Sequence, residues 1–244
     1  MRLDVYLPQC GLVKSRSSAS RLISDGHVTV DGRVITKPSY DVGGNEDIVI
    51  TCEMPFVSRA GEKLKHALDA FGVNAAGKTV LDIGASTGGF TDCLLKNGAG
   101  YVYALDVGSG QLDAGLRDDL RVCVMENFNA RDAKKSDFDR PIDMVTMDVS
   151  FISQSLIYPA IADILPVGGE LVTLVKPQFE VGRTNIGKGG IVKDPDKKLI
   201  AEVMERLEHE AGRLGLTKKG FTDSPILGGD GNCEYLAYFI KTKE

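Results

Sequence analysis

Residues 79–83, Thr-Val-Leu-Asp-Ile, make an apolar run too short for a helix, and it leads into Gly84-Ala-Ser-Thr-Gly-Gly-Phe90 and a helical pattern through Thr91, Cys93, Leu94 and Leu95. A continuously apolar strand suits a parallel sheet covered on both faces. The glycine-rich turn after it falls at the strand's carboxyl end, where α/β folds bind their ligands. A second apolar run, Tyr101 to Leu105, ends in Asp106, twenty-two residues beyond Gly84. An acidic side chain at that spacing can accept both hydroxyl hydrogens of a ribose. Together the two elements predict a nucleoside pocket.

The loop also excludes. A dinucleotide fingerprint needs Gly-x-Gly-x-x-Gly, and Ser86 stands where its second glycine would let the backbone approach a pyrophosphate. A phosphate-binding loop is missing too, because Gly187-Lys188-Gly189 is not followed by a hydroxyl residue. The pattern that remains, Asp82-x-Gly84-x-x-x-Gly88, resembles the first motif of S-adenosylmethionine-dependent methyltransferases. The resemblance implies cofactor contacts from Asp82, Gly84, Ala85, Ser86, Thr87 and Gly88, then Asp106 and Val107. Asn127 would meet the adenine, with Glu126 or the Phe128 backbone as alternatives, and Asp148 would face the methionine amine.

At 244 residues and 43% hydrophobic content, the chain can fill one α/β domain and a smaller one. Its net charge of −5 argues against a broadly cationic surface, so RNA contact would rely on local patches. Cys10, Cys52, Cys93, Cys123 and Cys233 are odd in number and scattered, which suggests neither a disulfide framework nor a metal site. A reducing cytoplasm is the expected compartment. The amino terminus has no apolar core of signal-peptide length, and charge, proline or glycine interrupts the longer apolar stretches, so no membrane span is expected.

Residues 1–52 read as a small α+β domain. One helix runs from Arg2 to about Pro8, and a second from Ser15 to Ser24 stops at Asp25-Gly26. His27–Val30 and Arg33–Thr36 flank Asp31-Gly32, a two-residue hairpin signal. Ser15-Arg16-Ser17, Arg21-Leu-Ile, the Gly26-x-Val28-x-Val30-x-Gly32 pattern and Lys37-Pro38 resemble the RNA-binding S4 domain. That resemblance implies that Lys14, Arg16, Arg21 and Arg33 meet RNA, although six Lys/Arg against six Asp/Glu leave the segment neutral.

A linker at 53–58 precedes the larger domain, 59–244. A helix from about Ser58 to Phe71 carries Leu64, Leu68 and Phe71 as its buried stripe, with Ala60, Lys63, Ala67 and Ala70 beside it. Further strands are expected near 122–125, 143–149 and 170–176, then a long helix opening at Asp194-Pro195 with Leu199, Val203 and Leu207 on one face. Strands near 217–226 and 234–241 close the chain. The plan is α/β, a doubly wound Rossmann-like domain with a small amino-terminal partner.

Four charged residues end predicted elements: Lys63, Asp148, Lys176 and Glu234. Their order, with Val57-Ser-Arg-Ala-Gly-Glu-Lys-Leu64, Asp148-Val-Ser-Phe-Ile-Ser153, Lys176-Pro-Gln-Phe179, Gly187-Lys-Gly-Gly190 and Gly231-Asn-Cys-Glu234, resembles the TlyA family, also called haemolysin A, whose catalytic domain is similar to FtsJ ribose methyltransferases. The resemblance implies methylation of ribosomal RNA, free or in a ribosomal subunit, at a ribose 2′-hydroxyl. Lys63, Asp148, Lys176 and Glu234 would be the catalytic set. A ribose hydroxyl is a weak nucleophile, so the transfer needs a group to remove or offset its proton and an in-line approach. Lys176 is the expected base, Lys63 steadies the alkoxide, and the two acids orient the amines. Glu180 competes with Glu234 by its nearness to Lys176, and Arg59 could guide a phosphate or cap its helix. Two other readings use the same residues differently: a membrane-active haemolysin, and an RNA-binding assembly factor without catalysis.

Overall fold

The computed structural model describes every residue except 14, 53, 195, 230 and 244. The chain divides into two compact units, Met1–Ser58 and Arg59–Glu244.

In the first unit, Ser15 caps helix α2 (Arg16–Ser24) by accepting the Ser18 N–H at 3.2 Å. Ala19, Leu22 and Ile23 of α2 are buried with Leu3 and Leu7 of α1 (Leu3–Gln9) and with Val28 and Val30. Helix α1 starts one residue later than expected and includes Pro8. The proline falls in the last turn, and the helix stops one residue beyond it. Asp31 and Gly32 take φ of 49° and 76°, the two left-handed residues that a tight hairpin between β1 (Val28–Val30) and β2 (Arg33–Val34) requires. Strand β2 is shorter than the sequence suggests because the chain after it turns to α1. The carbonyls of Pro38 and Tyr40 accept the Asp4 and Leu3 N–H groups that the helix start leaves unpaired. Strand β3 (Ile48–Ile50) completes the antiparallel order β2-β1-β3.

Continuous apolar strands build the second unit's seven-stranded sheet. Strands β4 (Thr79–Ile83), β5 (Tyr101–Leu105), β6 (Val122–Met125), β7 (Met144–Met147) and β8 (Glu170–Val175) are parallel in the order β6-β5-β4-β7-β8. Strands β9 (Leu216–Asp223) and β10 (Tyr235–Lys241) add an antiparallel edge, with β10 beside β8. Helices α3 (Ala60–Phe71) and α4 (Gly89–Lys96) pack together, and a short α5 (Ala114–Arg117) lies beside β6. Helices α6 (Tyr158–Ile164) and α7 (Lys198–Arg213) bury Tyr158, Ile161, Val203 and Leu207 in a core with Val145, Leu171 and Phe239.

Several expected boundaries move. Strand β7 is shorter at both ends than 143–149, and β9 stops at Asp223. Helix α3 opens at Ala60, and its Phe71 is half-buried, stacked on Tyr238 at 5.7 Å, while Ala70 is exposed. Helix α7 opens at Lys198, four residues after Asp194, because that carboxylate reaches forward to accept the Leu199 and Ile200 N–H groups at 3.0 and 2.8 Å. Pro195, expected in its first turn, lies outside the described residues.

Asp4, 2% exposed, accepts Arg2 Nε and a terminal Arg2 nitrogen at 2.9 Å each, and Arg16 Nε at 3.0 Å. Hydrogen bonds from Arg2, and then from Arg16, hold its carboxyl at about 2 against the upward push of burial. Its contribution to stability is complete above the ordinary value of 3.8 and is lost as the pH falls toward about 2. Asp4→Asn should therefore lower the thermal midpoint at pH 7 and lose less than the wild type between pH 4 and pH 2, followed by circular dichroism. An equal loss in both proteins over that window would contradict this.

Candidate active site

Outward from β4 the chain builds β5 and β6, then crosses back to β7, so the strand order reverses between β4 and β7. At such a switch point the loops part and leave a crevice. Gly84, at φ 80°, closes its floor, because a Cβ there would overlap the backbone carbonyl of Asp148. The N–H groups of Gly84 and Ala85 share the Leu105 carbonyl at 2.8 and 3.1 Å. Asp106 holds the loop from the next strand. One carboxylate oxygen accepts the Ser86 N–H at 2.8 Å and the other the Gly108 N–H at 2.7 Å, which leaves each oxygen a further lone pair. Gly84, Ser86, Asp106, Val107, Phe128 and Asp148 are among the residues lining the resulting cavity of about 510 Å³.

The four charged residues form two pairs on the same rim. Ile83 is level with Met147, which brings Gly84 beside Asp148, and Tyr235 is level with Val175, which brings Glu234 beside Lys176. Lys176 Nζ stands 2.6 Å from Asp148 Oδ1 and donates to Ser150 Oγ at 3.0 Å. Lys63, 8% exposed on α3, donates to Glu234, which is 4% exposed. Glu180 is engaged elsewhere: it accepts Arg206 at 2.6 Å, Ser153 Oγ at 2.7 Å and the Gln154 N–H at 2.9 Å. The cavity reaches Asp148 and Ser150, the two residues that hold Lys176, and the Lys63–Glu234 pair follows along the same strand ends, an arrangement that can bind a nucleoside with charged side chains beside it.

Residues 56–241 match the FtsJ-like methyltransferase family, and residues 1–48 match the S4 domain. The chain belongs to the FtsJ-like methyltransferase family. It is 42% identical over 239 residues to the 16S/23S rRNA (cytidine-2′-O)-methyltransferase TlyA of Mycobacterium tuberculosis, covering 97% of this chain and 88% of that one. It is 44% identical over 243 residues to Hemolysin A of Brachyspira hyodysenteriae, covering 98% and 100%. A solved structure from Streptococcus thermophilus, 42% identical, covers 100% of this chain and 89% of its own, with a TM-score of 0.79. In sequence the FtsJ-like unit follows an S4 domain, and the similarity to TlyA and Hemolysin A spans both matches.

Not every residue expected at the cofactor lines this FtsJ-like cavity. Ala85 and Gly88 are buried and shape the turn, and Thr87 is exposed. Asn127, exposed at φ 56°, gives its N–H to the Gly108 carbonyl, and Phe128 and Asn129 form the wall instead. Asp82 is fully buried beneath the loop, accepting Thr91 Oγ1 of α4 at 2.7 Å and Thr146 Oγ1 of β7 at 2.9 Å. Among the residues expected at RNA, Arg16 is tied to Asp4 through Nε yet has a side chain 61% exposed, and Arg33 is exposed on β2. Arg21, 16% exposed, lies 3.6 Å from Asp25 along α2. Arg59 is exposed at the start of α3 and makes no side-chain cap bond. Lys14 lies outside the described residues.

The structure adds residues that sequence reading left without a role. Ser150 holds Lys176, and Gln111 accepts Ser86 Oγ at 3.1 Å. Phe151, at φ 65° and 92% exposed, lines the cavity mouth with its ring 5.1 Å from Phe179. Ser150 and Phe151 sit inside the Asp148–Ser153 motif, which was their only signal. Among the described residues, no helix is long and apolar enough to cross a membrane. Among them, too, no group of three or more His, Cys, Asp or Glu side chains could hold a metal ion.

Burial, opposed by the threonine hydrogen bonds, pushes the Asp82 carboxyl up to about 7. A value above the ordinary 3.8 means that the stability it allows is complete below that pH and is lost as the pH rises through about 7. Asp82→Asn, which keeps one carbonyl for a threonine hydroxyl, should flatten the fall in melting temperature between pH 4 and pH 8. An unchanged pH profile would show that Asp82 is not the group responsible.

Proposed function

We propose that this protein transfers a methyl group from S-adenosylmethionine to a ribose 2′-hydroxyl of ribosomal RNA. The observation that carries the reading is the paired rim, Asp148–Lys176 and Lys63–Glu234, aligned with the Gly84 loop. The residues present suit the cofactor. Asp106 retains acceptor capacity for ribose hydroxyls, Val107 and Phe128 offer apolar surface to an adenine, and Asp148 is an acid for an ammonium group. S-adenosylmethionine bound there supplies a sulfonium-activated methyl.

The protein's task is then to orient the RNA hydroxyl and manage its proton. Lys176, placed by Asp148 and Ser150, first releases its own proton to solvent and then, as the free amine, takes the proton of the 2′-hydroxyl, while Lys63 offsets the negative charge growing on that oxygen. Glu234 fixes the Lys63 amine from inside the fold. The exposed Phe151, beside Phe179, offers a ring face to an unstacked base. The amino-terminal S4 domain contributes RNA contact through Arg16 and Arg33, exposed cations suited to phosphate. A ribosomal RNA substrate supports a cytoplasmic location, a compartment in which cysteines stay reduced.

Purified protein, labelled S-adenosylmethionine and ribosomal subunits or free ribosomal RNA should yield label at alkali-resistant linkages, the mark of a blocked 2′-hydroxyl. Lys176→Ala should slow incorporation by about 10²–10⁴-fold while calorimetry still detects cofactor binding. Wild-type protein that binds the cofactor but labels neither substrate would contradict the proposal and favour a non-catalytic assembly role.

A further inference from the structure

Residues 182–198 carry five Lys/Arg against two Asp, in a chain whose net charge is −5. Part of this segment is built as a small hairpin. Ile186 bridges Val192, the Gly187 N–H donates to the Ile191 carbonyl at 2.7 Å, and the Lys193 N–H donates to the Asn185 carbonyl at 3.3 Å. Gly189 and Gly190, at φ 80° and 81°, turn its tip, and Lys188 stands there exposed. Arg183 and Lys193 are exposed near its base, and none of these three cations is ion-paired among the described residues.

Asn232 holds this hairpin. It is 3% exposed, and both ends of its amide are committed: Nδ2 donates to the Gly190 carbonyl at 2.9 Å and Oδ1 accepts the Val192 N–H at 2.9 Å. Two residues later comes Glu234, the partner of Lys63. A single short turn, Gly231 to Glu234, therefore supports a cationic hairpin on one side and a pair of the active rim on the other. Fixed cations next to a site that receives a ribose hydroxyl suit the phosphates flanking that ribose.

We infer that the 185–193 hairpin is an RNA-backbone contact, with Lys188 and Lys193 meeting phosphates and Asn232 acting as a positioning residue that holds them beside the active rim. The inference rests on the reading of the protein as an RNA methyltransferase, and its test separates the two. Binding of purified ribosomal RNA to the full chain is measured against salt for the wild type and for Lys188→Glu/Lys193→Glu. The double variant should lose affinity and flatten the slope of log K against log salt by roughly 1.5, the value for about two lost phosphate contacts. Calorimetric affinity for S-adenosylmethionine and the melting temperature should not change, because both lysines are exposed. Asn232→Ala should raise the KM for RNA more than it lowers kcat. An unaltered salt slope and RNA affinity in the double variant would overturn the inference even if methylation by the wild type is intact. Absence of methylation by the wild type, with the slope change present, would instead defeat the enzymatic reading and leave the contact standing.

Discussion

The backbones of two loops meet where the strand order reverses between β4 and β7, and the rest of the site depends on that contact. Gly84 has no side chain, so the carbonyl of Asp148 can lie against it. Any other residue would both strain the left-handed backbone and force the β7 end away from the β4 loop. With that approach made, the loop is held by Leu105 and Asp106 on one side, and the Asp148 side chain is delivered to the rim of the same cavity. Asp82, bonded to α4 and β7 directly below, ties the strands that carry both loops.

On that frame, charge is placed where it costs stability. Burying Lys63 and Glu234 forfeits hydration that their mutual attraction returns only in part, and an apolar pair of similar shape would hold the fold at least as well. The arrangement is therefore poorly explained by stability and well explained by a need for a fixed ammonium beside a developing oxyanion. Lys176 is less enclosed, with 14% of its side chain exposed, and has the hydroxyl of Ser150 as well as the carboxylate of Asp148 to aim it.

Much of the fold was legible because the parallel strands announce themselves: β4, β5 and β6 run over the residues that their apolar composition marked out. Boundaries set by long-range hydrogen bonds were not. Asp194 caps α7 from four residues away, and β2 ends early because Pro38 and Tyr40 serve α1, neither of which is a local pattern. The site shows the same division. Motif spacing and strand ends marked Gly84, Asp106, Asp148, Lys176, Lys63 and Glu234, while Asp82 reads alike whether it faces a ligand or is buried under one. Strand alternation turns it into the sheet face that α4 covers, where Thr91 and Thr146 receive it. Asn127 was expected at the adenine from its position after β6, with the Phe128 backbone as an alternative, and a left-handed turn at Asn127 leaves it exposed while Phe128 and Asn129 line the cavity wall.

The central claim is that the crevice between β4 and β7 holds the methyl donor with its reactive carbon toward Lys176. A crystal structure of the protein grown with S-adenosylmethionine tests it most directly. The account predicts ribose hydroxyls on the Asp106 carboxylate, the amino-acid end beside Asp148, and the sulfonium methyl facing the Lys176 amine. Density for the cofactor in another cavity, or in this one with its methyl turned away from both lysines, would contradict it.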